Sequence, residues 1–122
     1  MKFNYCPPAL IFYTDDLPEG VGGQANGPYV RIRPKYEGDE GILYHELTHV
    51  WQWWLTLGLH SLLYLFVREY RLWAEVQAYR VQMKYPRADG AYLSLDDAAW
   101  KLSTPRYDLG ITPTEARDAL KG

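Results

Sequence analysis

Hydrophobic and polar positions alternate in the first third of the chain and then recur at helical spacing. Residues 9–13 form a short apolar run between prolines and an acidic, glycine-containing turn, which predicts a strand. In the next alternating segment, Val30 and Ile32 share one face. Tyr29 and Arg31 share the other face. Because prolines flank this segment on both sides, we expect it to form an edge strand.

The remainder of the chain carries apolar residues at helical spacing, with capping residues and breakers between them. Asp39 is a good N-cap, Gly58 and Pro86 are stop signals, and Thr112–Glu115 has the form of a capping box. The predicted helices span about 39–57, 61–85, 94–101 and 112–120. The sequence therefore predicts a single α+β domain over residues 1–122. In it, a small N-terminal β-sheet packs on the first two helices, and short helices follow.

Composition and charge narrow the functional classes. The 122 residues are 48% hydrophobic and 16% aromatic, which suits a packed core. A net charge of −2 gives no basic surface for nucleic acid. Cys6 is the only cysteine, which excludes an intrachain disulfide and a cysteine-based zinc finger. Residues 1–8 lack the long apolar region of a signal peptide, so we expect a cytoplasmic protein.

Residues 50–67 carry no formal charge, and the length of this segment is near the lower limit for a membrane span. A glutamine, a histidine and a central glycine weaken that interpretation, so we expect a buried or partner-facing segment. Trp51, Trp53 and Trp54 cannot all face one core at helical spacing. Some indole surface is therefore expected to be exposed, for contact with a second copy of the chain, a partner protein or a membrane surface.

The strongest chemical signal is His45-Glu46-Leu47-Thr48-His49, which lies inside the first predicted helix. Four residues advance about 400° on a helix, so His45 and His49 project from the same side, one turn apart. Two imidazoles so placed can bind one zinc ion. Glu46 points about 100° away from His45. This offset suits a general base acting on water beside the metal.

A catalytic zinc usually takes three protein ligands, and the second predicted helix offers two carboxylates for the third. Glu69 and Glu75 are about 240° apart on that helix, so they cannot both face the metal. Glu75 shares a side with apolar neighbours and is favoured, whereas Glu69 suits a solvated salt bridge. Arg71, one turn before Glu75, is a candidate to orient its carboxylate. The alternative for Arg71 is a surface ion pair.

The motif His45-Glu46-x-x-His49, followed by a helical glutamate at Glu75, resembles the gluzincin branch of zinc metallopeptidases. The short chain is similar to compact minigluzincins and short metallopeptidase-like proteins of bacteria and phages. The resemblance covers about residues 29–82, and its specific part is four residues. The pattern of metzincins is absent, because the glycine and third histidine that it requires do not follow His49. Where the larger gluzincins carry an acidic partner four residues after the ligand glutamate, this chain has Tyr79.

The resemblance implies a zincin-like fold, Zn²⁺ bound by His45, His49 and Glu75, and Glu46 as the general base. It implies peptide substrates bound antiparallel to the edge strand, which makes Tyr29 and Arg31 candidate substrate contacts and Tyr79 a candidate partner of the site. It also implies a bacterial or phage origin.

The predicted reaction is metal-assisted hydrolysis of a peptide bond. The oxyanion needs a further donor, for which the candidates are Tyr79, His60, Tyr64 and Tyr107. Two other functions stay open on the sequence. One is a catalytically silent zinc-binding module that binds a partner, and the other is a membrane-associated peptidase. The intact Glu46 favours the enzyme, because a structural zinc site does not need that carboxylate.

Overall fold

A computed structural model describes residues 1–122 and has the α+β architecture that the sequence predicts, with one four-stranded sheet and five helices. The strands are β1 (Lys2–Tyr5), β2 (Pro8–Tyr13), β3 (Gly23–Asn26) and β4 (Tyr29–Ile32). The helices are α1 (Glu40–Leu55), α2 (His60–Phe66), α3 (Arg68–Gln82), α4 (Leu95–Leu102) and α5 (Pro113–Lys121). Short 3₁₀ turns lie at Pro34–Tyr36 and Pro105–Tyr107.

The sheet has the strand order β1-β2-β4-β3, in which only the β2–β4 pair is parallel. The prediction that β4 is an edge strand is therefore wrong. Pro28 and Pro34 lie just outside the four paired residues of β4, so neither proline removes an N–H that the ladder needs. The edge strands are β1, which the sequence pattern did not reveal, and β3. Because β3 packs on α1, it is the sheet edge that lies beside the histidines.

One face of the sheet packs on α1. Val30 and Ile32 are 0% and 1% exposed, as their shared face predicts. They meet Leu47 and Val50 from the buried side of α1. We call this group the sheet cluster; its buried members are Ala9, Ile11, Val30, Ile32, Leu47 and Val50.

A second apolar group lies on the other side of the molecule, where α3 packs against α4 and α5. We call it the C-terminal cluster; its buried members are Val76, Tyr79, Leu93, Ala98, Ala99, Leu102, Tyr107, Leu109, Ala116 and Leu120. The predicted capping box is present, since the Thr112 side chain accepts from the Glu115 N–H and the Glu115 carboxylate accepts from the Thr112 N–H. α1 and α3 pack against each other and join the two clusters.

The predicted helix over 61–85 is two helices, which meet at an extended Val67 (φ −116°, ψ 102°). A break leaves carbonyls at the end of α2 without helical partners. The Arg71 guanidinium donates to one of them, the carbonyl of Tyr64, at 2.8 Å. Arg71 also donates to the carbonyls of Tyr107 and Asp108, at 2.7 and 2.9 Å. This arginine therefore fastens the α2–α3 junction to the segment before α5.

The uncharged segment 50–67 is divided by a turn in which Leu57 and Gly58 have φ of 53° and 87°. None of the five helices combines the length and the apolar character that crossing a bilayer requires. Trp51 and Trp54 are 44% and 40% exposed, in line with the expected exposure of indole surface. α2 itself has no buried residue.

Candidate metal centre

α1 brings His45 and His49 to the same buried side, where they are 6% and 8% exposed. Their ring centroids are 5.1 Å apart. The start of α1 is fixed by Asp39, whose carboxylate accepts a hydrogen bond from the Ile42 N–H at 2.9 Å. The helix therefore presents the two imidazoles as the spacing predicts.

α3 supplies the carboxylate of Glu75, which is 2% exposed. Its two oxygens lie 3.3 Å from His45 Nε2 and 3.2 Å from His49 Nε2. Ligand atoms of these three residues all lie within 4.8 Å of one another. Glu69 instead has an 80% exposed side chain, 3.7 Å from Arg68. The structure therefore brings Glu75, and not Glu69, to the histidine pair.

The three residues fit a metal ion. Ligand atoms held about 2.0–2.1 Å from a tetrahedral zinc are about 3.3 Å apart, close to the nitrogen–oxygen distances here. Glu75 Oε1 is buried and accepts no hydrogen bond. A buried carboxylate oxygen without a donor is costly, and a bound cation satisfies it. This group of residues could therefore bind a metal ion.

A glutamine fixes the orientation of the second histidine. Gln52 is 3% exposed, and its Nε2 donates to the carbonyl of Ala74 at 3.0 Å. Its Oε1 therefore faces His49 Nδ1, at 2.8 Å, and accepts the Nδ1 proton. The neutral imidazole then carries its lone pair on Nε2, the atom that faces Glu75. Sequence reasoning missed this role; the signal was a glutamine three residues after His49 in an otherwise apolar run.

The carboxylate of Glu75 is oriented by Tyr64, whose hydroxyl donates to Oε2 at 2.5 Å. The sequence proposed Arg71 for this task, but no hydrogen bond joins Arg71 to Glu75. The Arg71 side chain is occupied by carbonyls, one of them that of Tyr64. Its effect on Glu75 is thus indirect, through the position of α2. No sequence pattern links Tyr64 to Glu75, because the break at Val67 sets their approach.

The buried charges stabilise one another. Burial disfavours the imidazolium of His49 and by itself lowers its pKa. The carboxylates of Glu75 and Glu46 favour the imidazolium, as do the hydrogen bonds to Glu75 and Gln52. These contacts outweigh burial and raise the pKa of His49 to about 9. Burial alone raises the pKa of Glu75, yet the two histidines lower that pKa well below its usual range. Without a metal, a proton on His49 therefore neutralises the carboxylate.

Glu46 is 7% exposed, and its carboxylate makes no hydrogen bond and no ion pair within the protein. The edge strand lies directly against it, because a Cβ added at Gly23 would stand 3.4 Å from Glu46 Oε2. A nearly buried carboxylate without a partner is unfavourable for folding alone. Its position beside His45 suits a base that acts on water.

Two neighbouring cavities meet at this centre. The larger, about 380 Å³, lies between β3 and α2 and is lined by His45, His49 and Glu75. The smaller, about 240 Å³, continues past Gly22 toward Arg87. Residues that line both cavities are Gly23, His45, Glu46, Arg106 and Tyr107. An open groove therefore crosses the face of Glu46.

Other predicted residues lie at varied distances from the centre. Tyr79 packs its ring against His45, with centroids 4.5 Å apart, and its hydroxyl forms a hydrogen bond with the hydroxyl of Tyr107. Tyr29 and Arg31 line neither cavity, because β4 is covered by β3 on the side of the site. The Arg31 guanidinium donates to the side chains of Gln24 and Asn26.

His60 lines the larger cavity, and its ring centroid is 5.7 Å from that of His49. Its Nδ1 lies 2.7 Å from the Tyr70 hydroxyl. Burial and the charge of His49 lower the pKa of His60 to about 4, so this ring is neutral near pH 7.

The chain matches no known protein family, no curated protein and no solved structure. The residues and their geometry therefore carry the functional inference.

Proposed function

We propose that this protein is a zinc-dependent metallopeptidase with a zincin-like fold. The observation that carries the proposal is the convergence of His45, His49 and Glu75 beside an unpaired Glu46 at the floor of an open groove. A metal site that serves only to stabilise a fold has four protein ligands and no open position. Three ligands next to a free carboxylate match the catalytic arrangement.

The donor set favours zinc. Two imidazole nitrogens and one carboxylate oxygen suit zinc, whereas magnesium and calcium select all-oxygen ligands. The set is also buried, although it lines the groove. Zinc held here supplies Lewis-acid chemistry, which acidifies water and polarises a carbonyl.

Glu46 performs the proton transfers. Its carboxylate takes a proton from the attacking water and later delivers it to the leaving amine. Because it has no hydrogen bond within the protein, neither transfer requires Glu46 to break an existing contact. Tyr107, His60 and Arg106 line the same groove and are candidate groups to bind the oxyanion. Tyr64 is committed to Glu75 and is less suitable.

The edge of β3 offers a binding place for an extended peptide. β3 pairs with β4 on one side, so its other side presents backbone N–H and C=O groups along the larger cavity. A peptide that adds there as a further strand gains main-chain hydrogen bonds without regard to its sequence. β3 is therefore the edge strand that we propose for peptide binding, in place of β4.

The test combines metal analysis with cleavage of a peptide library by the wild type and by Glu46→Gln. We expect one zinc per chain in both proteins and a decrease in cleavage rate of about 10²- to 10⁴-fold in the variant, the usual contribution of a general base. Glu69→Gln is the matched control, since Glu69 is an exposed glutamate on α3. It should retain both zinc and activity.

Zinc in both proteins with cleavage by neither would contradict the peptidase and leave a silent zinc-binding module. Absence of zinc from the wild type would contradict both interpretations.

A further inference from the structure

Arg87 and Arg106 differ from every other arginine of the chain, because their side chains make no hydrogen bond and no ion pair within the protein. All the others are bound to backbone carbonyls, side chains or a carboxylate. These bound arginines are Arg31, Arg33, Arg68, Arg71, Arg80 and Arg117.

Both unpaired arginines line the smaller cavity, and Lys101 joins them there. The carboxylates of that cavity belong to Asp39 and Glu46. Asp39 is committed to the N-terminus of α1, where it accepts from the Ile42 N–H. The lining of this cavity therefore carries three cations against two carboxylates, and Glu46 is the carboxylate without a partner within the protein. Such a concentration of unpaired guanidinium groups favours an anionic ligand.

Arg106 also lines the larger cavity, so it stands where the two cavities meet. Its guanidinium lies over the ring of Tyr107, 5.3 Å from the centroid. This contact holds the charge at the side of the groove without occupying its donors. A ligand that extends from Glu46 into the smaller cavity passes Arg106 first and Arg87 further along.

The direction of β3 tells which part of a peptide reaches these cations. Before β3, Gly20 and Gly22 line the smaller cavity and Val21 the larger one. Gly23 lines both, and the rest of β3 to Asn26 lines only the larger one. Antiparallel pairing is the more stable of the two pairings per residue, and a peptide that adds to β3 in this direction runs from the larger cavity toward the smaller one. The residues on the carboxyl side of the cleaved bond enter the cationic cavity. Its volume of about 240 Å³ is below the usual range of small-molecule sites, so it suits a short chain end.

We infer that the smaller cavity is a carboxylate subsite, in which Arg87 and Arg106 bind a carboxylate of the peptide on the carboxyl side of the cleaved bond. The inference rests on the proposed peptidase function for its choice of a peptide ligand. The carboxylate comes either from the free C-terminus of the peptide or from an aspartate or glutamate side chain. Planar guanidinium groups match both sources through paired N–H···O contacts.

The experiment measures binding as well as cleavage, with two mixed-sequence pools of N-acetylated tetrapeptides. The pools are identical except that one ends in a free acid and the other in an amide. Affinity selection on the zinc-loaded protein measures how well each pool is retained. Within the amide pool, it compares the retention of peptides with glutamate and with glutamine at each position. The proteins are the wild type, Arg87→Gln, Arg106→Gln and the control Arg117→Gln. Arg117 is an exposed arginine that pairs with Asp96 far from the groove.

We expect the wild type to retain one carboxylate source about tenfold better than its neutral counterpart, as a charge-assisted contact provides. A preference for the free acid over the amide would assign the carboxylate to the C-terminus of the peptide. A preference for glutamate over glutamine would assign it to a side chain. Arg87→Gln and Arg106→Gln should each lose most of that preference while they keep zinc and their affinity for neutral peptides. Arg117→Gln should keep the preference. The preference should also weaken as salt is raised.

Equal retention of the charged and neutral peptides by the wild type would overturn the subsite, as would a preference that survives both substitutions or no retention of either pool. Cleavage without any carboxylate preference contradicts the subsite and leaves the peptidase. Carboxylate-dependent retention that both substitutions abolish, without cleavage, contradicts the peptidase and leaves the subsite.

Discussion

Gln52 connects the backbone of α3 to the ring nitrogen of His49 that faces away from Glu75. Its amide donates to the Ala74 carbonyl in α3, next to Glu75, and its oxygen accepts from His49 in α1. One side chain therefore sets the tautomer of a candidate ligand and the spacing of the helices that carry the ligands. Partners of this kind contribute to metal affinity although they do not touch the metal.

Replacing Gln52 with leucine should weaken zinc binding by about 10- to 100-fold, the usual effect of removing a partner of a ligand. The His49 ring would lose the acceptor that fixes its proton on Nδ1. The measurement is a competition titration against a chromophoric chelator. Gln77→Leu is the control, because Gln77 is a half-buried glutamine of α3 without a side-chain hydrogen bond. Equal zinc affinity in Gln52→Leu and the wild type would show that the Gln52 contact does not matter for the metal.

The raised pKa of His49 predicts how the stability of the metal-free protein depends on pH. The pKa of His49 in the folded state is about 9, above the ordinary value of 6.5, so its contribution to stability is fully present below about pH 6.5 and is lost as the pH rises through 9. We expect the melting temperature of the metal-free protein to fall across this interval. His60 does not interfere, because its lowered pKa of about 4 places its transition below this interval.

Thermal melts in chelator between pH 6 and 10 measure this effect, with His49→Gln as the comparison. The variant should lose the part of the decline that lies between pH 6.5 and 9. The same linkage raises the apparent zinc affinity with pH, by up to tenfold per unit for one displaced proton. A wild-type melting temperature that is as insensitive to pH as that of the variant would refute the His49–Glu75 charge pair.

At the scale of elements, the α2–α3 junction decides the shape of the groove. The sequence shows one helix-forming run from 61 to 82 with no glycine or proline, so nothing local marks a break at Val67. The break is stabilised from outside, by Arg71 and the carbonyls of Tyr107 and Asp108. These partners lie more than 30 positions away in the sequence, where local patterns give no information.

Arg71→Ala should lower the free energy of unfolding by about 2–3 kcal/mol, because several hydrogen bonds from a charged donor are removed at once. Urea denaturation measures the loss. Arg117→Ala is the matched control, with an exposed ion pair to Asp96 that contributes less than about 1 kcal/mol. If the two substitutions cost the same, the junction does not depend on Arg71.

The elements that the sequence predicted share a local cause. The N-cap at Asp39 and the capping box at Thr112 lie within four residues of the groups they bind, so sequence spacing alone locates them. The histidine pair and the facing of Glu75 follow in the same way from helical periodicity. Strand order does not, because pairing depends on which segments meet across the sheet. The flanking prolines of β4 therefore pointed to the wrong edge.

The cations of the smaller cavity also come from segments whose contacts the sequence does not predict. Arg87 follows α3, Lys101 is in α4 and Arg106 lies in the turn after α4. From the sequence alone, each of them would be interpreted as an ordinary charged residue on the surface. Only the packing of α4 against α3 brings them to one cavity beside Glu46.

At the scale of the whole molecule, the candidate metal centre joins two apolar clusters. α1 contributes to the sheet cluster through Leu47 and Val50, and α3 contributes to the C-terminal cluster through Val76 and Tyr79. The metal-facing atoms lie on the contact between these helices. A cation bound there holds the two halves of the core together as well as its own ligands.

Zinc should therefore stabilise the entire fold. At a free zinc concentration of 100 times the dissociation constant, linkage adds about 2.7 kcal/mol. For a chain of this length, we expect the melting temperature to rise by roughly 10 °C. Hydrogen exchange should slow in the amides of both clusters. Protection confined to α1 and α3 would contradict the joining role, and Glu75→Gln should abolish the zinc-dependent rise altogether.

α2 is the wall of the larger cavity, yet none of its seven residues is buried. Local opening of this helix costs less free energy than global unfolding, but it must break the hydrogen bond from Tyr64 to Glu75. The helices that carry His45, His49 and Glu75 are packed in the core and do not take part in such an opening. Because an opening of α2 withdraws the Tyr64 hydroxyl from Glu75, widening the entrance of the groove also frees the carboxylate that faces the histidines. Access to the groove and the orientation of that carboxylate are therefore coupled through one side chain.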